Sequence, residues 1–188
     1  MNSKRWWIQL LVGLWCGAIA LGCQDHLPGS PLNRLTANAI TGPTVTVMRV
    51  VSGQTIEVQF TNATSTNNEE VQLIGIQAPA AGQEPWNQAV KAYLEDLLLR
   101  ETVQLEWDQD PDNDFGRKLA YVWLGDRLIN QELLAAGYVL EVARSPNLKY
   151  DALFKESQHR ARLLGLGIWN PEQPMRQTPN EFRDAHQS

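Results

Sequence analysis

The order of elements in this 188-residue chain predicts an α+β fold, a five-stranded barrel carrying three helices. Three observations predict it. From Thr44 to Phe60, β-branched and aromatic residues (Val45, Val47, Val50, Ile56, Val58, Phe60) recur at roughly period two around Ser52–Gly53, which reads as two strands and a turn. Two further runs, Thr102–Trp107 and Lys118–Trp123, are strand-like and flank an acidic turn. One helical stripe follows the third strand and two more close the domain.

Taken in order, the first hairpin turns at Gly53, where glycine tolerates positive φ. Thr61–Asn68 reads as a polar loop, and its Asn62-Ala63-Thr64 sequon reads as a chance match. The third strand holds Val71, Leu73, Ile74 and Ile76, apolar on both faces, and is expected to be the most buried. Pro85 suits the first turn of a helix over Trp86–Leu99, with Ala89, Val90, Tyr93, Leu94, Leu97 and Leu98 on one face. Gly125-Asp126 makes a hairpin turn after the fifth strand. Leu128–Ala136 is the second helix, stopped by Gly137. Tyr138–Val142 is extended, Tyr150–Leu164 is the third helix, and Ile168 and Trp169 return to the core. Five strands with this helix order fit an OB-fold barrel.

The same segments carry a resemblance. SGQT (Ser52–Thr55), QLIGIQAPA (Gln72–Ala80) and FGRKLAYVW (Phe115–Trp123) resemble the framework of the staphylococcal-type nuclease family, thermonuclease-like, from about Thr44 to Trp169. The family pattern is D-G-D-T, then R-L-x-x-[IV]-D-[TA]-P-E, then Y-G-R-x-L-A-Y. The resemblance implies an OB-fold barrel with three helices. It also implies a calcium ion held by two aspartates, a glutamate as general base, and two arginines on the phosphate. Carried over, the first metal aspartate becomes Gln54 and the second Gln77. The first arginine becomes Gln72 and the general base becomes Ala80. Arg117 alone keeps its family identity.

Chemistry gives that pattern its weight. A hard cation wants carboxylate oxygens, and amide oxygens without charge bind it far more weakly. Phosphoryl displacement needs neutralised equatorial oxygens and an activated water. Losing a positioned base costs about 10²–10⁴ in rate, and losing a phosphate-gripping arginine about 10³ or more. Such losses are not additive, but they act in one direction. Arg117 has two readings of equal weight: a residual anion-binding group, or a surface ion pair with the aspartates of the preceding turn. Glu84 and Glu69 are the carboxylates to consider for rescue near the barrel mouth, but the sequence spacing gives that no support.

Asp108, Asp110, Asp112 and Asp114 alternate as in a calcium loop. The EF-hand form fails, because the sixth position from Asp108 is Asn113 and the twelfth is Leu119. The segment reads as a solvated acidic turn. His26, His159 and His186 are scattered without metal or triad spacing. Trp86, Trp107, Trp123 and Trp169 read as core or barrel-end packing, and Lys149, Lys155, Arg160 and Arg162 as a basic helix face near a C-terminus. No metal site is expected, and calcium enters only with the nuclease reading.

Net charge is −5 for the whole chain and −7 from Cys23 onward, since Lys4 and Arg5 lie in the leader. A mildly acidic body argues against a generic nucleic-acid binder, though not against a local basic groove. Lys4 and Arg5 precede the apolar run Trp6–Leu21, the pattern of a secretory signal, too short for a comfortable spanning helix. An uncleaved anchor helix is the other reading. Ile19–Cys23 resembles a bacterial lipobox, which implies lipid modification at Cys23. The expected division is 1–22 leader, 23–43 tether rich in Pro, Gly and Asn, 44–170 nuclease-like domain and 171–188 disordered tail. Only Cys16 and Cys23 are present, so cleavage before Cys23 leaves no internal disulfide.

Two functions follow as expectations. One is an exported, membrane-anchored binding or scaffolding module facing the periplasm or cell surface, with a protein or nucleic-acid ligand. The other is a calcium-dependent nuclease outside the cytoplasm.

Overall fold

The computed structural model describes residues 42–62, 65–113 and 116–186. The leader over 1–22, Cys23, His26 and all but the last two tether residues lie outside the described residues, as does Asp114. The barrel strands are β1 (Thr44–Ser52), β2 (Thr55–Asn62), β3 (Ser65–Leu73), β5 (Thr102–Glu106) and β6 (Lys118–Leu124). They run in the order β3-β2-β1-β5-β6, and a parallel β3–β6 pairing closes the ring. Two-residue strands β4 (Ile76–Gln77) and β8 (Leu140–Glu141) pair outside it, and β7 (Arg127–Leu128) extends β6. The helices are α1 (Trp86–Leu98), α2 (Ile129–Ala135), α3 (Asp151–Leu164) and α4 (Pro179–His186). Among the described residues no helix is long and apolar enough to cross a membrane.

Period-two patterning builds the barrel. Val45, Val47 and Val50 of β1 face inward with Ile56 and Val58 of β2, and all are buried. The register pairs Val47 with Val58 and Val50 with Ile56. Bulges between Val47 and Arg49 and between Val50 and Ser52 bend the strand, the usual device for curling a sheet into a barrel. Gly53 serves differently from the expectation. Its φ is not positive. A Cβ there would meet Val90 Cγ1 at 2.4 Å and Ala78 Cβ at 2.9 Å, so glycine is needed for the close approach of α1.

The polar loop expected over Thr61–Asn68 is instead the tip of a long hairpin. β2 runs to Asn62, β3 starts at Ser65, and the register carries Phe60 to Asn67 and Val58 to Glu69. Val71, Leu73 and Ile74 are buried as expected, whereas Asn67 and Asn68 toward the hairpin tip are exposed, and the strand breaks at Gly75. That residue has φ +76°, and a Cβ would lie 2.7 Å from the Phe154 ring. Ile74 N–H donates to Ala120 O at 3.0 Å and closes the barrel beside the break.

α1 buries Val90, Leu94 and Leu98, a narrower stripe than the pattern suggested, and Ala89 is exposed. At the α2 N-terminus, fully buried Asn130 ties three elements together. Its Oδ1 accepts from Val122 N–H at 2.9 Å, and its Nδ2 donates to Ile74 O at 2.8 Å.

The tail expected to be disordered carries the fourth helix. Thr178 and Glu181 form a reciprocal cap: Glu181 Oε2 accepts from Thr178 N–H at 2.7 Å, and Glu181 N–H donates to Thr178 Oγ1 at 3.3 Å. With Pro179 in the first turn, this is a capping box.

One carboxyl pair lies between β8 and α3. Glu141 Oε1 and Asp151 Oδ1 are both buried without a hydrogen-bond partner. Burial, and then the facing Asp151 carboxylate, push the Glu141 carboxyl above its ordinary 4.5. Folding therefore binds this proton more tightly than unfolding does. Stability held below the ordinary carboxyl range is lost as pH rises through the raised value. Glu141→Gln is expected to raise Tm near neutral pH and to lose that advantage near pH ~4. Thermal melts at the two pH values check this, and an advantage that persists in acid contradicts it.

Candidate functional site

The barrel mouth gathers most of the residues singled out in the sequence. A cleft of about 670 Å³ is lined by Gln54, Gln72, Asn113, Arg117, Arg144 and Arg183 among others. A narrower recess of about 60 Å³ joins Gln54 and Gln72 to Gln77. Ala80 lines neither, and it is only 4% exposed.

Each position is tied down by its own fold. Gln54 follows the β1–β2 turn, and its Oε1 accepts from Ala78 N–H at 2.6 Å. Its backbone carbonyl accepts from Leu73 N–H at 2.9 Å, which sets the turn against the end of β3. Gln77, on β4, donates from Nε2 to Asn180 Oδ1 of α4 at 2.8 Å. Gln72 is buried on β3, and its Oε1 accepts from Asn113 Nδ2 at 3.1 Å. Ala80 N–H donates to Gln83 Oε1 at 3.0 Å, and Gln83 Nε2 donates onward to the Gln177 carbonyl at 2.8 Å. The loop from Gln77 to Gln83 is thus stitched to the C-terminal tail at both ends.

Arg117 stands in the acidic turn before β6. Asn113 Oδ1 accepts its backbone N–H at 2.9 Å. Its guanidinium pairs with Glu70 at 2.9 Å, with the two side chains 46% and 36% exposed. The ion pair foreseen with the turn's aspartates is therefore made with a residue of β3, and Lys118 takes Asp112 at 2.7 Å. An exposed pair of this kind contributes about 0–1 kcal/mol.

The acidic turn is held by ordinary contacts. Asp108 Oδ2 accepts from Tyr121 O–H at 2.9 Å and from Lys149 N–H at 3.1 Å. Burial, and then that hydrogen bond to Asp108, hold the Tyr121 phenol well above its usual range. Asn147 clamps the turn, accepting from Asp110 N–H at 2.8 Å and donating to Asp110 O at 2.7 Å. Glu84, one of the two substitute carboxylates considered from the sequence, lines a separate groove with Trp86 and Phe182 and accepts from Gln88 N–H at 3.1 Å in the first turn of α1.

Of the basic residues singled out in and just before α3, Lys149, Lys155 and Arg162 have partners. Lys149 pairs with Glu106, a carboxylate only 4% exposed that also accepts from Trp123 Nε1 at 2.8 Å and Tyr150 O–H at 3.0 Å. Lys155 pairs with Asp151 at 2.7 Å, and the Arg162 guanidinium lies 4.7 Å from the Trp169 ring centre. Trp107 and Trp123 pack against the core, and His159 is exposed.

The calcium ion that the resemblance implies does not fit this donor set. The two positions that should supply carboxylates supply neutral amides. The Gln54 oxygen already accepts a short backbone bond, and the Gln77 amide donates to Asn180. Among the described residues no three His, Cys, Asp or Glu side chains converge as metal ligands. Sequence reasoning missed Asn113, Arg144, Asn180 and Arg183, all of which reach this region. The one signal for the last two was Thr178-Pro179-x-Glu181, the cap that announces α4.

Known proteins place the chain firmly. The family model described as staphylococcal nuclease homologue matches residues 70–171. The chain is 30% identical over 157 residues to a thermonuclease of Staphylococcus intermedius, covering 81% of this chain and 91% of that one. It is 27% identical over 157 residues to a thermonuclease of Staphylococcus hyicus, covering 81% and 90%. Against the SPbeta prophage-derived endonuclease YokF of Bacillus subtilis, identity is 33% over 67% of this chain but 44% of the relative. With a closed five-stranded barrel and more than half of its length inside the family match, this chain belongs to the staphylococcal nuclease family.

Proposed function

We propose that this chain is a nuclease-fold domain that does not cleave nucleic acid, exported and anchored to the membrane through a lipid on Cys23, and that it serves as a binding or scaffolding module in the cell envelope. One observation carries the reading. Both metal-aspartate positions hold amides, Gln54 and Gln77, that are already hydrogen-bonded within the protein. The remaining positions agree. Ala80 offers no base, and Gln72 presents its oxygen to Asn113 rather than a cation to the cleft. A non-ionised amide neither neutralises a divalent cation nor activates water.

The thermonuclease relatives favour a second reading, a calcium-dependent phosphodiester hydrolase, with Arg117 as its phosphate contact. The experiment is direct. The chain is incubated with single-stranded DNA and with RNA, in calcium and in chelator. The expected result is no cleavage above a mock-purified control in either condition. Calcium-dependent cleavage that tracks the protein through purification overturns the non-cleaving reading.

A further inference from the structure

We propose that the C-terminal end of α3 is a membrane-docking ridge: Leu163, Leu164 and Leu166 enter an anionic lipid surface while Arg160 and Arg162 meet its headgroup phosphates. The inference goes beyond anchoring through Cys23 and does not depend on it, because it concerns a face of the folded domain.

Exposure singles out the apolar part of the ridge. Leu163 is 73% exposed and Leu164 60%, more than any other large apolar side chain among the described residues, and Leu166 is 38% exposed. Single exposed leucines are ordinary, but three within four residues make a patch. The side of α3 turned to the core is a different one, through Phe154, Ser157 and Ala161. The three leucines line neither the barrel-mouth cleft and recess nor the grooves beside Trp86.

The ridge is held in place before any partner arrives. Gly165 N–H donates to Arg162 O at 3.2 Å and Leu166 N–H to Ala161 O at 3.0 Å, the paired bonds of a Schellman stop. Ile168 N–H then donates to Gly137 O at 2.8 Å, and its side chain is buried. The turn after α3 is thus tied to the end of α2, and little ordering entropy remains to be lost on docking.

Charge names the partner. The chain carries −5 overall, yet residues 157–171 hold His159, Arg160 and Arg162 and no carboxylate. Arg160 precedes Leu163 and Leu164 by three and four residues, so it shares their face of the helix. The Arg162 guanidinium lies against the Trp169 ring with its side chain still exposed. Among the described residues neither arginine has a carboxylate partner. Glu156, four residues before Arg160, makes no pair with it, and Glu132 on the neighbouring α2 is paired with Arg127. Arginine forks match phosphate oxygens, and leucines beside arginines are the composition of helices that lie in a bilayer interface. Leucine is under-represented among the anchors of protein–protein interfaces. A protruding ridge needs a matching groove on a protein, whereas fluid acyl chains close around it.

The test uses the full chain with Cys16→Ser and Cys23→Ser, which removes any lipidation, and one environment-sensitive nitrobenzoxadiazole label at Leu164→Cys. Chain reconstituted from detergent micelles is floated with vesicles of phosphatidylglycerol and phosphatidylcholine, or of phosphatidylcholine alone. The expected result is blue-shifted emission on the mixed vesicles only, fading in about 1 M salt, where the Debye length is about 3 Å. Arg160→Gln and Arg162→Gln should each cut the ratio of buried to aqueous label about fivefold. The label at Leu163→Cys should repeat the result. At Leu99→Cys, on the far end of α1 from the Trp86 turn that adjoins Gly167, it should stay aqueous. Failure to float with the mixed vesicles, aqueous emission at either ridge position, equal shifts on the two vesicle types, indifference to both arginine changes, or a shift at Leu99→Cys overturns the proposal. So does a blue shift that grows with protein concentration in the absence of lipid, the mark of a second copy on the ridge.

Discussion

Replacing Asn130 with alanine is expected to lower stability by about 2–5 kcal/mol and Tm by about 10 °C or more. The side chain is completely buried and spends both ends of its amide on backbone groups, Val122 N–H and Ile74 O. Alanine removes both partners at once and leaves a donor and an acceptor in a site closed to water. Each orphaned group costs about 1–3 kcal/mol. The location amplifies the effect. Val122 lies at the centre of β6, and Ile74 marks the place where the third strand breaks beside the barrel seam. A chemical denaturation series checks the value. A loss under about 1 kcal/mol would mean that the groups find other partners and that Asn130 is not the pin joining α2 to the barrel.

Converting Gln54 and Gln77 together to aspartate is expected to create calcium binding where none is expected of the native chain. The exchange adds two formal negative charges at the mouth. It also shortens both side chains by one methylene, which releases the bonds to Ala78 N–H and Asn180. A site with two carboxylates and little preorganisation falls in the weak range, about 10⁻⁴–10⁻³ M. The same change loosens α4, because Gln77 no longer holds Asn180. Calorimetric titration of calcium into the double variant measures the gain. An unchanged blank titration would show that these two positions do not converge on one ion.

The barrel was legible because its strands alternate. Val45, Val47, Ile56 and Val58 announce one inward face, and the closing strand announces itself as a continuous apolar run, Leu119–Val122. The distal half of the hairpin was not legible. Ser65 to Glu70 is polar throughout, and a ribbon projecting from the barrel needs no apolar face to be paired. Gly53 was read through backbone freedom, whereas its reason is the side chain of Val90, brought close by a helix more than thirty residues later. The candidate positions could be named from the sequence, but not their partners. Gln77 and Asn180 are 103 residues apart, and no local pattern relates them. α4 is a different matter. Its mean burial is low, with only Pro179 buried, which disguised it as a polar tail. Its Thr-Pro-x-Glu start is a standard helix opening that composition outweighed.

The two positions that the family resemblance gives to a divalent cation hold amides engaged with the protein itself. The most direct measurement is a calorimetric titration of calcium into the native full chain, alongside the double aspartate variant as the positive arm. No saturable heat is expected from the native chain at millimolar calcium, and a one-site isotherm is expected from the variant. A one-site isotherm from the native chain, abolished by Gln54→Ala, would contradict it.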